Sequence, residues 1–383
     1  MILRLILCRG IVNSYGSFQT YYEEDLLESQ SPDAISWIGS VQSFLLLLIG
    51  VVVGPLYDAG YFRLLVIVGI SLTSFGFMMT SLCTAYWQIL LAQAFCIGLG
   101  TGCLFIPSLA LLPQYFVKRR AIATGIVTSG SSLGGTIYPL IFQSLLPRVG
   151  FPWATRVLGF ICFITCSFSL VVMRPRGKPK KRRSLVDFAA FQNRAYLFYL
   201  TAMFFSYVGF FGPLFYLQPY ALTHGMQGRE LAYYLVAIAN AASVPGRIIP
   251  SLIAGRIGPT NMICMASALV AIATLTWIAV HDMAEDLAFA IAYGFTSGGI
   301  ISLPAVVLAS IIPDLGLLGT WMGMASVFNG FGSLIGPPVC GALLKSTGKY
   351  LGVQLFSGFT LVLTTVFLMA LRLSKVGFKI VKV

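Results

Sequence analysis

The residue with the most chemistry to offer is Arg247, which stands about midway along an apolar stretch expected to be helical over 228–254. Asn240, Ser243 and Arg247 recur at i, i+3 and i+7, so a helix carries them on one face. An arginine at the centre of a membrane helix costs at least ~2.5–3.5 kcal/mol unless it faces water or a partner. Its guanidinium can hold a carboxylate through two parallel bonds, so the chemistry is anion binding. The structural alternative is an arginine that caps carbonyls between packed helices. Other polar residues stripe apolar segments: Asn13 and Ser17, Gln93, and Ser326, Asn329 and Ser333. Singly, each is accounted for by one bond between helices, worth ~0.6 kcal/mol on average. Phe204, Tyr207, Phe211, Phe215 and Gln218 share a helical face, which serves equally as an aromatic wall for a substrate with an apolar body or as a lipid-facing or core-packing surface. The candidate substrate-binding residues are Arg247, Ser243, Asn240, Asn13, Ser17, Asn329, Tyr207 and Phe211.

A second constellation lies in two loops. Gly54-Pro55-Leu56-Tyr57-Asp58-Ala59-Gly60-Tyr61-Phe62-Arg63 puts a carboxylate and a cation at the ends of two helices, and Gly255-Arg256-Ile257-Gly258-Pro259-Thr260-Asn261 puts Arg256 at the same register. Asp58, Arg63 and Arg256 are the candidate gating residues. The plain alternative is a pair of solvated turns.

The elements that must position these groups are membrane helices. Of the 383 residues, 57% are hydrophobic and 10% charged, against roughly 25% charged in a soluble domain. Apolar runs bounded by Gly, Pro or charge place twelve spans at 1–22, 34–56, 64–83, 86–112, 120–146, 152–173, 195–220, 228–254, 262–281, 286–311, 316–344 and 350–372. They leave no room for a soluble catalytic domain. Met1 to Val12 lacks the uninterrupted apolar core of a signal peptide and reads as the start of span 1. The basic residues sort by side: even loops and the C-terminal tail hold 17 basic and three acidic residues, whereas odd loops hold five basic and nine acidic. By the positive-inside rule both termini face the cytoplasm, with Glu23, Glu24, Asp25 and Glu28 outside. The net charge of +13 therefore reports topology, and no nucleic-acid partner is expected.

The polar interruption Arg174 to Arg194 divides six spans from six, giving 1–173, a basic linker 174–194, and 195–383. Gly60, Gly100, Gly125, Gly134 and Pro139 recur as Gly258, Gly298, Gly323, Gly332 and Pro337, each 198 residues later. That is the parallel repeat of one transporter architecture, with a site between the halves. The cysteines sit in apolar stretches and read as core residues, so neither disulfides nor a metal is expected. Gly130-Ser131-Ser132-Leu133-Gly134 fits a nucleophile elbow, but it lies in a span and His224 and His281 lie in loops. No nucleotide site is present in the pattern: the chain reads as neither an enzyme nor an ATP-driven pump, and no cofactor is expected.

Four segments resemble the major facilitator superfamily and, within it, the fungal branch of the monocarboxylate porter family: Asn13 to Tyr22 with Ile35 to Ser40, Gly54 to Arg63, Tyr115 to Pro139, and Pro245-Gly246-Arg247 with Gly255 to Asn261. The resemblance implies an all-α membrane protein of two pseudo-symmetric six-helix bundles that works by alternating access. It also implies that Arg247 anchors a carboxylate. The family pairs that arginine with an Asp one turn earlier and a Lys in helix 1, where this chain has Ser243 and Gly16-Ser17, so proton coupling does not carry over. The expected function is secondary transport of a small organic anion at the plasma membrane, with no obligate protein partner. The alternatives are an efflux or uptake facilitator for a larger specialised metabolite, charged or uncharged, and a transport-inactive membrane sensor or scaffold.

Overall fold

The computed structural model describes residues 9–110, 120–173, 186–223, 229–312 and 318–377. Most of the 174–194 linker, with Lys118, Arg119, His224 and Asp314, lies outside the described residues, as do the side chains of Asp58 and Arg120. The described chain is a bundle of helices: α1 (Tyr15–Tyr21), α2 (Pro32–Asp58), α3 (Phe62–Thr80) and α4 (Tyr86–Ile89, widening through Leu90–Ile97 and continuing as Gly98–Ala110). A single helical run, Arg120–Val172, follows and is broken at Gly150 into α5 (120–149) and α6 (151–172). Then come α7 (Arg194–Thr223), α8 (Leu235–Ile257), α9 (Pro259–Thr276), α10 (Met283–Ser302), α11 (Leu318–Thr347) and α12 (Leu351–Val376). Among the described residues 10 helices are long and apolar enough to cross a membrane. One of them is Ile122–Val172, which at 1.5 Å per residue is roughly 77 Å long and more than twice a ~30 Å hydrocarbon core. It folds back at Gly150: the Phe142 and Phe151 rings, nine residues apart, meet edge-on at 6.2 Å.

The expected boundaries shift where proline or packing decides. The gap expected between spans 5 and 6 shrinks to one non-helical residue, Gly150 (φ 72°). Span 10 stops at Ser302 and restarts as Pro304–Ala309, because Pro304 has no N–H to give the carbonyl four residues back. The middle of α4 is wound to π pitch, and there the buried Gln93 accepts a 2.5 Å bond from the Tyr22 hydroxyl.

The duplication appears in the backbone itself. Gly60 (φ 96°) and Gly258 (φ 97°) end corresponding helices in the left-handed region, and Gly150 (φ 72°) and Gly348 (φ 64°) form a second pair at the same 198-residue spacing. A Cβ is strained at these angles, so the turns need glycine.

In a bilayer, helices associate by close contact between small residues rather than by hiding apolar surface from water. A Cβ on Gly246 of α8 would strike the Phe295 carbonyl of α10, and one on Gly294 of α10 would strike the Ala239 carbonyl of α8. Gly125 of α5 lies against α8, where a Cβ would stand 2.7 Å from Ser251 Oγ and 2.9 Å from the Arg247 carbonyl. In the described end of the linker, Asp187 caps a helical turn (Phe188–Gln192) and accepts a 3.0 Å bond from the Trp321 indole of α11.

Candidate functional site

Arg247 lies in α8 between Pro245 and Pro250, two residues that supply no N–H to the helix, so the rod is locally short of backbone bonds where the arginine projects. The side chain is 2% exposed. Its Nε donates to Ser243 Oγ at 3.2 Å, on the same face as the sequence spacing requires. Its NH1 donates to the Thr128 carbonyl of α5 at 2.7 Å and to the Ser131 hydroxyl. Three acceptors on two helices thus engage this guanidinium, and none is a carboxylate.

Asn240 extends the same face. Its Nδ2 donates to the Val236 carbonyl at 2.9 Å and to the Asn13 carbonyl of the first helical segment at 3.4 Å, while Asn13 Nδ2 reaches the Ser131 carbonyl at 3.5 Å. Ser17 of α1 donates to Gln218 Oε1 of α7 at 3.4 Å. The sequence-predicted residues Asn13, Ser17, Asn240, Ser243 and Arg247 therefore come together where α1, α5, α7 and α8 meet. Tyr207 and Phe211 join them from α7, edge-on at 6.4 Å, and both are buried, as is Phe215. These three rings of the aromatic face pack against protein, while Phe204 at its end is half-buried. Asn329 is buried in α11 with its Oδ1 unbonded among the described residues, whereas Ser326 and Ser333 bond carbonyls of their own helix. Gln93 instead serves the α1–α4 contact.

Sequence reasoning passed over Arg9, Thr128 and Ser131. Arg9 NH2 donates to the Tyr207 hydroxyl at 3.0 Å, and its guanidinium lies 4.7 Å from the Phe105 ring centre and 5.8 Å from that of Tyr207. The signal was present: Arg9, Asn13 and Ser17 fall at i, i+4 and i+8, one face of a helix. Thr128 and Ser131 gave none, since a backbone carbonyl and a serine in an apolar helix look alike whether they serve a site or not.

The two ends of the bundle differ. At the end carrying Glu23 and Asp33, Tyr15 of α1 packs on Phe215 of α7 at 4.8 Å, and the Tyr216 hydroxyl donates to the Pro337 carbonyl. Asp33 pairs with Lys345 at 3.7 Å, and the Tyr233 hydroxyl donates to Glu24 at 3.2 Å. At the basic end, Arg63 and Arg256 are exposed. Among the described residues, a Cβ on Gly54 would meet nothing within 4 Å, and one on Gly323 only Val51, at 4.0 Å.

Among the described residues no group of His, Cys, Asp and Glu could hold a metal ion. The described cysteines are unpaired; Cys83, Cys162, Cys166, Cys264 and Cys340 are buried, and Cys8 lies outside the described residues. The site's chemistry is hydrogen bonding, cationic charge and aromatic surface.

The sequence pattern of the Major Facilitator Superfamily matches residues 10–286. An MFS-type transporter of Emericella nidulans is 40% identical over 353 residues, which cover 92% of this chain and 80% of that protein. The aspyridones efflux protein of the same organism is 43% identical over 349 residues, 91% of this chain and 71% of its own. The agnestins efflux protein of Paecilomyces divaricatus is 36% identical over 365 residues, 95% and 84% respectively. With a family pattern over most of its length and relatives at this identity and coverage, the chain belongs to the major facilitator superfamily and is a multi-pass membrane transporter of that type.

Proposed function

We propose that this protein exports a specialised metabolite by alternating access, through twelve spans arranged as two six-helix bundles, 1–173 and 195–383, joined by the basic linker 174–194. The observation that carries the reading is the gathering of buried polar groups from both halves, Asn13, Ser17 and Ser131 with Gln218, Asn240, Ser243 and Arg247, at one meeting place of otherwise apolar helices. In a membrane such groups are costly unless they pair or face a pathway. Relatives named as efflux proteins support export of a metabolite over movement of a small monocarboxylate. The basic end faces the cytoplasm, as does each terminus, and the membrane is the plasma membrane. The sealed acidic end with a looser basic end then corresponds to a carrier open inward, ready to load. Asp58, Arg63 and Arg256 gate that entrance when it closes. Driving force comes from gradients.

The test compares metabolites inside cells and in the medium by mass spectrometry, in a producing host with and without this chain. Loss of the protein should raise the internal fraction of one compound or a small related set. An unchanged distribution, or a fall inside the cell, would remove the export reading.

A further inference from the structure

Two guanidiniums face the site, one buried and one partly buried, and their surroundings are not alike. Arg247 spends its Nε and both NH1 protons on Ser243, the Thr128 carbonyl and Ser131, fastening α8 to α5. Arg9 has a single neutral acceptor, the Tyr207 hydroxyl; its Nε is buried and unbonded among the described residues. One face of its guanidinium rests on Phe105, a contact that favours a cation without neutralising it. No described carboxylate pairs with either arginine, and Arg9 lies close enough for its charge to act on Arg247. Two like charges in a low-dielectric interior repel, and each carries a desolvation cost. The arrangement lacks an anion, and among the described residues most of the open positions for one are on Arg9, which has spent one of its five N–H groups, whereas Arg247 has spent three and keeps only its NH2.

Resting on the export reading above, we infer that Arg9 is the charge that meets the transported molecule, and that this molecule is an organic acid whose anionic oxygens take the free N–H groups of Arg9 while its apolar body lies along Tyr207 and Phe211. Arg247 is then the strut that holds α5 to α8 and adds positive field. This reverses the role that the family resemblance implies for Arg247. It also assigns the first helical segment the specificity for charge: Phe105 and the Tyr207 ring fix the guanidinium from two sides, so it is set before the acid arrives, which spares the ordering cost of a long side chain.

The test uses two probes with one apolar body, 1-pyrenebutyrate and 1-pyrenebutanol, binding to the purified chain in nanodiscs and followed by fluorescence polarisation. The wild type should bind the acid about tenfold to a hundredfold more tightly than the alcohol, the range of a buried charge-assisted bond. Arg9→Gln should abolish that preference and leave alcohol binding in place, and Arg9→Lys should restore part of it. Arg247→Gln should lower the melting temperature and the yield of folded protein, while the folded fraction still prefers the acid at least threefold. The inference is overturned if the wild type binds the two probes equally or binds neither, or if Arg9→Gln keeps the preference. Export is scored separately by the cell-and-medium comparison: an Arg9-dependent preference without export would retire the proposed direction and leave the charge assignment standing. Export of neutral compounds without any preference would do the reverse.

Discussion

The two ends of this bundle are built from corresponding helices and yet pack differently. At the acidic end, small residues and tyrosines bring the halves into direct contact: a Cβ on Gly341 of α11 would come within 2.6 Å of the Asp33 Cα. At the basic end, a Cβ on Gly323 of α11 would meet Val51 of α2 only at an ordinary contact distance, 4.0 Å, and one on Gly54 of α2 would meet no described atom within 4 Å. The same pair of helices is thus tightly packed at one tip and loosely packed at the other. What the difference teaches is where the bundle has room: the α5–α8 seam at Gly125 and Arg247 and the acidic tip are close-fitting, and the basic tip is not.

The largest effect that sharpens this comparison should come from Gly341→Leu, set against Gly323→Leu in the same helix. Overpacking a tight contact costs typically 1–3 kcal/mol, whereas a substitution in open space stays within about 0.5 kcal/mol. Gly341→Leu should therefore prevent the acidic end from sealing, read as a large gain in labelling of a cysteine at the buried Ser36 by an impermeant maleimide. Gly323→Leu should label like the parent. Equal behaviour of the two variants would show that the asymmetry of the ends does not govern access.

A smaller, pH-dependent effect concerns Glu23 at the acidic end. Burial pushes its carboxyl up to about 7, with the Gln19 bond at 2.9 Å acting the other way and Glu24 adding to the rise. Tyr15, Tyr216 and Tyr350 feel its charge from α1, α7 and the start of α12. The sealed form holds a proton that a hydrated Glu23, near the ordinary 4.5, would release. Its advantage is full below that ordinary value and is lost as pH rises to about 7. Labelling at Ser36→Cys, divided at each pH by that of a permanently exposed cysteine to remove the rise in thiolate, should increase several-fold between pH 5 and 8, and Glu23→Gln should flatten this normalised profile. A flat profile in the parent would show that this carboxyl takes no part in the seal.

The smallest effect belongs to the Asp33–Lys345 pair. At 3.7 Å, with the partners 30% and 61% exposed, it should contribute under about 1 kcal/mol. Asp33→Asn should shift labelling less than twofold, and the charge-swapped double variant should return to the parent value. A tenfold change would mean that charge, not tyrosine and glycine packing, holds this end shut.

The helices were legible in the sequence because a bilayer demands long apolar runs, and the duplication was legible because left-handed turns demand glycine at Gly60 and Gly258. The 198-residue spacing of Gly150 and Gly348 carried the same signal and is visible only once their φ angles are known. In the site, the face of Asn240, Ser243 and Arg247 followed from helical spacing, but its partners did not. Thr128 contributes a backbone carbonyl, which every residue has, and Ser131 sits among other small residues of α5. The family resemblance directed attention to Arg247, while Arg9, spaced just as informatively, lies one residue before the matched stretch 10–286. The breaks at Ser302 and within α4 were likewise beyond an apolar count, since hydropathy does not distinguish α from π pitch.

The bond from the Trp321 indole to Asp187 also ties the entry of the second half to α11. The Trp321 carbonyl accepts a second bond, from the Tyr196 hydroxyl of α7 at 2.8 Å, so one tryptophan clamps both the turn Phe188–Gln192 and the start of α7. A shift of α11 at this end therefore carries the first turns of the second half with it, and Trp321→Phe, which removes the indole N–H, should uncouple the Asp187 turn while leaving the Tyr196 bond in place.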